Sequence, residues 1–344
     1  MWSNKRGTLQ FHPRHKPMNS YQQETAIKRM NHLAKDGKPF VFIVSYDCRQ
    51  TFVEEVDNID SSELLFDFPH RNNIPPDAVA GNADVEWEFA PPSRERYRHA
   101  IRHVIGNERD GNSYLANLTC RVPVRTNLAL RDIFLRSKAM YRCWMRDNFV
   151  CFSPEIFVRV SNGKISSYPM KGTIDALQPN ARETLLSSPK EAAEHATIVD
   201  LIRNDLSKVA EHVTVERYRY IDRLTTNKGK ILQTSSEISG QLLPQYVQRP
   251  GDMLFQLLPA GSITGAPKLK TTQIIKEAED YERGFYTGVM GIWEDGRMDS
   301  AVMIRFIDKE GEQIYYKAGG GITARSDEEA EYNEVLEKIY VPIY

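Results

Sequence analysis

From residue 113 onward, short apolar β-rich stretches recur with gaps of hairpin length, and this pattern limits the fold more than any other feature. The stretches "SYLANLTCRVPV", "YRCWMRDNFVCFS" and "IFVRVSNGKISSYP" come first. "HVTVERYRYI", "ILQTSSEISGQLL", "TGVMGIWE", "DSAVMIRFI" and "EQIYYKAGGGI" follow. Strands joined by hairpin-length gaps pair antiparallel, because a parallel neighbour needs a crossover of a dozen residues or more. The Asn-Gly-Lys at 162–164 is a strong hairpin signal, since Asn and Gly accept the positive φ of a tight turn.

Helices are fewer. Ser93 reads as an N-cap for "RERYRHAIRHVIGNERDG", closed by Gly111. A long helix is expected from about Ser188 to Lys208, with Ile198, Leu201, Ile202 and Leu206 on its apolar face. "KLKTTQIIKEAE" follows Pro267, which suits the first helical position. "SDEEAEYNEVLEKIY" has Ser326 as N-cap and Glu329 completing a capping box. Upstream, 38–46 and "SSELLFDF" read as strands, and the Pro-, Asn- and Gly-rich 71–93 as a boundary or long surface loop. Strands outnumbering helices predicts an α+β class, antiparallel sheets with packed helices rather than a doubly wound sheet.

Lys and Arg number 45 against 46 Asp and Glu, which leaves no electrostatic footprint for nucleic acid or a membrane surface. No run of eighteen apolar residues exists. Cys48, Cys120, Cys143 and Cys151 form no CxxC pair and no metal-ligand spacing, and read as reduced thiols of a cytosolic protein. The first 20 residues are basic but lack an apolar core for a secretory signal. They read as a disordered lead-in, or as an upstream start with Met18 as the working one.

Several stretches carry chemistry, each beside a plainer reading. In "SSYPMKGTIDA" the one lysine, Lys171, sits where Pro169 and Gly172 bend the backbone; it is either a solvated turn lysine or an amine held in place. "GSITGAPK" is a Gly-rich turn entering a helix, which exposes N–H groups to an anion, or an ordinary strand–loop–helix junction. Gly319, Gly320 and Gly321 can form an anion nest or a bulge or tight turn. Glu331, Glu334 and Lys338 share a helical face; two carboxylates three apart can hold Mg²⁺, while Glu334–Lys338 is also an ordinary surface pair. Glu194 precedes Ile198 by four and Leu201 by seven, so it lies on or beside an inward face and needs a partner or a metal. The Rossmann and Walker A fingerprints are both absent.

Taken in order, "SPEIF", "YPMKGT", "AEHATIVDLIRND", "GSITGAPK", "MDSAVMIRF", "AGGGIT" and "EYNEVLEK" resemble the chorismate-utilising enzymes over roughly residues 95–340. The resemblance implies two antiparallel sheets face to face with helices outside, a four-layer α/β/β/α sandwich. It implies a catalytic domain over 93–344 and a reduced N-terminal segment, 21–92, packed on the same sandwich. That segment is too short for the feedback tryptophan pocket of anthranilate synthases. The resemblance further implies chorismate as substrate and Mg²⁺ as cofactor, with Glu194 and Glu334 as metal ligands and Glu331 beside them. Arg305, Tyr286 and the backbone of Gly319 to Gly321 match groups around the pyruvyl carboxylate. Gly172, Thr173 and Ser262 match ring-side contacts, Lys338 a second cationic contact, and Glu155 the acid that protonates the departing C4 hydroxyl.

Within the family, lysine at the position of Lys171 resembles component I of aminodeoxychorismate synthases; anthranilate synthases resemble Pro-Ile-Ala-Gly-Thr there. The implied role is a nucleophile that must be neutral to act, its pKa lowered by burial or a nearby positive charge. No cysteine stands in a nucleophile-elbow context, so the implied ammonia source is a separate glutamine amidotransferase subunit. Three positions depart from the family. Gln233 stands where histidine is frequent, Leu115 where lysine or glutamine is usual, and Arg325 where an acid is usual. Leucine cannot activate water, which argues against water as the attacking group. The remaining alternatives are anthranilate synthase component I and a non-catalytic anion-binding subunit of the same fold.

Overall fold

The computed structural model describes residues 18–81, 84–226, 229–341 and 343. The lead-in expected over residues 1–20 lies, but for its last three residues, outside them. Among the described residues the strands form two antiparallel sheets, of ten and nine strands. The first sheet runs Ser20–Tyr21, Thr51–Glu55, Phe40–Val44, Val289–Glu294, Arg297–Val302, Ile156–Ser161, Lys164–Ser167 and Gly229–Leu242. The last of these also pairs with Met170–Asp175 and, on its other side, with Ala210–Thr226. The second runs Gly265–Ala266, Leu115–Thr126, Gln313–Ile322, Phe306–Glu310, Phe149–Ser153, Tyr141–Met145, Leu64–Phe68 and Arg71–Asn72, with Trp87–Phe89 beside Leu115–Thr126. Residues from the N-terminal quarter enter both sheets: Phe40–Val44 pairs with Val289–Glu294, and Leu64–Phe68 with Tyr141–Met145.

Side-chain alternation stacks these sheets into layers. Phe40, Phe42 and Val44 join Met30, Ile198, Leu201 and Leu254, from the helices Gln23–Lys35, Pro189–Leu206 and Pro250–Leu257, in one core. Val41 and Ile43 point the other way, against Leu64, Phe66, Tyr141 and Phe306 of the facing sheet. That is why "FVFIV" is apolar at every position: both of its faces are covered. On the far face of the second sheet Leu65, Leu118 and Trp144 meet Ile101, Ile133, Ile274 and Val335 of four more helices. The result is helices, sheet, sheet, helices, a mixed α+β sandwich. No helix among the described residues is long and apolar enough to cross a membrane.

Two chain segments change sheets side by side. Phe149–Ser153 belongs to the second sheet and Ile156–Ser161 to the first, so the chain crosses at Pro154 and Glu155. "DSAVMIRFI", expected as one strand, is two: Arg297–Val302 lies in the first sheet and Phe306–Glu310 in the second. The break is at Met303 to Arg305, where Arg305 takes a positive φ of 54°. The crossings are tied together, since Val302 N–H donates to the Glu155 carbonyl and Phe152 N–H to that of Arg305, each at 3.1 Å. Both candidate site residues thus sit on one corner of the sandwich.

Helix boundaries differ in two details from expectation. Asp327, not Ser326, caps Glu328–Glu337, its carboxylate accepting from Ala330 N–H at 2.9 Å, and Glu329 pairs with Arg94 instead of closing a capping box. Pro267 stands at the N-cap of Lys268–Ala278 rather than inside its first turn.

Candidate active site

Lys171 lies in the strand Met170–Asp175, not at a turn. The bend its neighbours predicted is a β-bulge: Gly172, at φ +76°, shifts the register against Gly229–Leu242 between Lys171 and Thr173. Thr234 faces Lys171 across the ladder and its hydroxyl donates to the Lys171 carbonyl. The ammonium reaches Glu194 Oε2 at 3.0 Å, with the two side chains 25% and 11% exposed. Glu194 comes from Pro189–Leu206, whose Ser188 cap accepts from Glu191 N–H at 3.3 Å. Glu191, one turn before Glu194, aims at the same place: a Cβ on Gly172 would stand 2.5 Å from its Oε2.

The expectation of a neutral lysine is corrected by these carboxylates. Burial is the largest influence and lowers the Lys171 pKa, but Glu194, by charge and hydrogen bond, and then Glu334 and Glu191, outweigh it. The net shift is upward, so the amine is charged in this structure.

Across from Lys171 stand the three glycines. They are extended residues of Gln313–Ile322, paired with Thr119, Leu118 and Asn117 in the ladder, so neither an anion nest nor a tight turn is present. The missing side chains of Gly320 and Gly321 make room instead. A Cβ on Gly321 would stand 3.1 Å from Lys171 Nζ and 3.3 Å from Leu115 Cδ1. One on Gly320 would lie 3.6 to 3.7 Å from Glu331, Lys338 and Glu334. Lys338 donates to the Gly319 carbonyl at 2.9 Å and pairs with Glu334 at 2.7 Å. Burial, chiefly, lowers its pKa despite Glu334. Glu331 is buried and accepts from Ser326 Oγ at 2.8 Å.

At the corner of the sandwich the Ser262 hydroxyl donates to Glu155 at 2.6 Å. Burial raises the Glu155 pKa, opposed by that hydrogen bond and by the charges of Lys171, Arg305 and Lys338. A carboxyl shifted in this direction keeps its proton to higher pH than a free one. Arg305 lies 5.8 Å from the Tyr340 ring. Tyr286 is 3% exposed in the core between the sheets, its ring 5.9 Å from Phe306. Thr173 is exposed beside Gln233. The "GSITGAPK" turn is largely taken up by a 3-10 turn, Gly261–Ile263, and by pairing of Gly265–Ala266 with Leu115–Ala116, so it is not the fan of amides expected for an anion.

One cluster therefore gathers Lys171, Glu155, Ser262, Glu194, Glu334, Lys338 and the glycine strand, from residues up to 183 positions apart in Glu155 and Lys338. Among the described residues no three carboxylates, cysteines or histidines are close enough to hold a metal as they stand. Glu191 was missed by sequence reasoning, although its i, i+3 relation to Glu194 was a usable signal. His195 was missed as well. It is fully buried, its Nε2 lies 2.6 Å from Ser236 Oγ, and burial, then Arg219 and Lys171, push it down to about 4, so it is neutral.

A family model described as chorismate binding enzyme matches residues 55–343. The chain is 46% identical over 319 residues to an uncharacterised PabA-like protein of Haemophilus influenzae, covering 92% of this chain and 96% of that protein. It is 33% identical over 275 residues to aminodeoxychorismate synthase component 1 of Escherichia coli, covering 74% of this chain and 58% of that one. It is also 31% identical over 323 residues to an anthranilate synthase component 1 of Haloarcula marismortui, covering 86% and 64%. Two solved structures share the fold. Anthranilate synthase component I of Streptococcus pneumoniae has a TM-score of 0.68 at 22% identity, covering 90% of this chain and 84% of that one. The isochorismate synthase MenF of Escherichia coli has a TM-score of 0.69 at 16% identity, covering 94% and 82%.

Proposed function

The chain belongs to the chorismate-binding enzymes, and from that premise we propose that it aminates chorismate at ring C4, as an aminodeoxychorismate synthase component I. The observation that carries this reading is the Lys171 amine, held 3.0 Å from Glu194 and against the space left by Gly321. An ammonium parked in a turn for solvation would face bulk water.

In this reading the Lys171 ammonium first passes its proton to the Glu194 carboxylate 3.0 Å away, and the neutral amine then forms a bond to C2 of the diene while the C4–O bond breaks. Glu155 protonates the departing hydroxyl, which leaves as water. Ammonia then bonds to C4, the ring double bonds shift back, and the C2–N bond to Lys171 breaks. Chorismate and ammonia thus become 4-amino-4-deoxychorismate and water. Arg305 and Lys338 supply charge for the substrate's carboxylates, and Leu115 keeps one wall of the amine's surroundings apolar.

Glu191, Glu194, Glu331 and Glu334 are hard oxygen donors gathered around Lys171, Gly172 and Gly320, which fits Mg²⁺ by chemistry. Bound there, Mg²⁺ would offset their charge and attract the ring carboxylate. Glutamine would be hydrolysed by a separate amidotransferase subunit. The chain's own thiols support that division, because burial pushes Cys48 and Cys120 up to about 12 and holds Cys143 and Cys151 higher still, far from reactive thiolates.

Intact-protein mass spectrometry with chorismate and no ammonia tests the reading. The wild type should gain the mass of chorismate less water, and Lys171→Ala should gain nothing while still binding chorismate. A wild type that forms no adduct and, once ammonium salt is added, yields the 2-aminated benzoate would establish the anthranilate reaction instead.

A further inference from the structure

Arg283 is 3% exposed and lies outside the group of residues just described. Its Nη1 donates to the Ile263 carbonyl at 3.0 Å and its Nη2 to the Asn117 carbonyl at 2.6 Å. One planar guanidinium therefore staples the Gly261–Ile263 turn to the strand Leu115–Thr126. Glu279, the C-cap residue of Lys268–Ala278, balances the charge, accepting from Nε at 2.8 Å and Nη2 at 2.6 Å. Glu279 is fixed in turn by the Thr119 amide and hydroxyl, both at 2.8 Å, and the Tyr46 ring covers the guanidinium at 4.5 Å.

Buried ion pairs are poor stabilisers against apolar replacements of the same shape. What this pair does specifically is aim a carbonyl. Ile263 is the residue after Ser262, and the short turn carrying them closes on its own bond from Thr264 N–H to Gly261 at 3.2 Å. Buried carbonyls need a donor, and for Ile263 that donor is Arg283. We propose that Arg283 is a positioning residue whose clamp on the Ile263 and Asn117 carbonyls sets the Ser262 hydroxyl on Glu155. The inference rests on the reading of Glu155 as the proton donor. The charged groups facing Glu155 are Lys171 from the strand Met170–Asp175, Arg305 from the neighbouring sheet crossing and Lys338 from the C-terminal helix.

Arg283→Lys keeps the charge beside Glu279 but cannot span two carbonyls. The Glu155 carboxyl band, isolated by infrared difference against Glu155→Gln across pH, reads the effect without turnover. Ser262→Ala should move the Glu155 titration upward, since it removes a donor to the ionised form. Arg283→Lys should move it the same way and lower kcat about ten-fold, with KM within about two-fold. The double variant should match Ser262→Ala alone, because both changes act through one hydroxyl. An unchanged titration in folded Arg283→Lys, or a further shift in the double variant, overturns the proposal. Should Arg283→Lys fail to fold, Glu279→Gln is expected to give a smaller upward shift, and its absence overturns the proposal equally. A wild type that does not aminate chorismate would refute the function while leaving the titration readable.

Discussion

Gly172 shows how finely one residue sets the geometry around Lys171. Its φ of +76° makes the bulge, and the space beside it belongs to the Glu191 carboxylate. Gly172→Ala should cost about 1–2 kcal/mol, from the strained backbone and the displaced carboxylate. Its denaturation midpoint should fall accordingly, and an unchanged midpoint would mean the bulge relaxes freely. The residue types at this site were legible in the sequence: Lys171, Glu155, Glu194 and Glu334 stand in recognisable runs. Their states were not. Lys171 is charged because Glu194, Glu334 and Glu191, up to 163 positions away at Glu334, surround it in space. A glycine triplet reads from sequence as flexible turn or nest, yet Gly319 to Gly321 are extended, and the use of Gly320 and Gly321 is the room they leave.

Among the elements, the helix Pro189–Leu206 was the most readable. Its serine cap, its proline and its apolar period all agree, and Glu191 and Glu194 follow on the face toward Lys171. The helix Arg94–Arg109 holds a surprise at Glu108, 7% exposed against the second sheet, which burial pushes up to about 8, opposed by the Ala116 amide. The unfolded chain releases this proton near 4.5 and the folded one near 8, so the folded state binds more protons between those values. Stability therefore falls as pH rises through that window. Calorimetry at about pH 5 and about pH 8 should show a drop in Tm of a few degrees that Glu108→Gln largely removes. Equal drops in both proteins would contradict it. The split of "DSAVMIRFI" was illegible for a different reason. Strand periodicity says which residues alternate, not where a strand must leave one sheet for another.

At the scale of the whole molecule, Glu155 and Arg305 become neighbours because two facing sheets exchange chain segments at one corner. The purified chain should aminate chorismate with ammonium salts, and with glutamine only when an amidotransferase subunit is added. Glutamine-dependent product from the chain alone, measured by chromatography of the aminated product, would refute the division of labour. By itself the amino-acid order determined the four helices Arg94–Arg109, Pro189–Leu206, Lys268–Ala278 and Glu328–Glu337, most of the strands, their antiparallel pairing and the chemical groups available, because hydrophobic period, caps and turn residues act over a few neighbouring positions. Tertiary structure alone decided that Glu155 and Arg305 share a corner, that Arg283 anchors the Ser262 turn, and that Lys171 carries its proton. Those outcomes depend on burial and on charge-to-charge distances between remote segments, which local sequence does not encode.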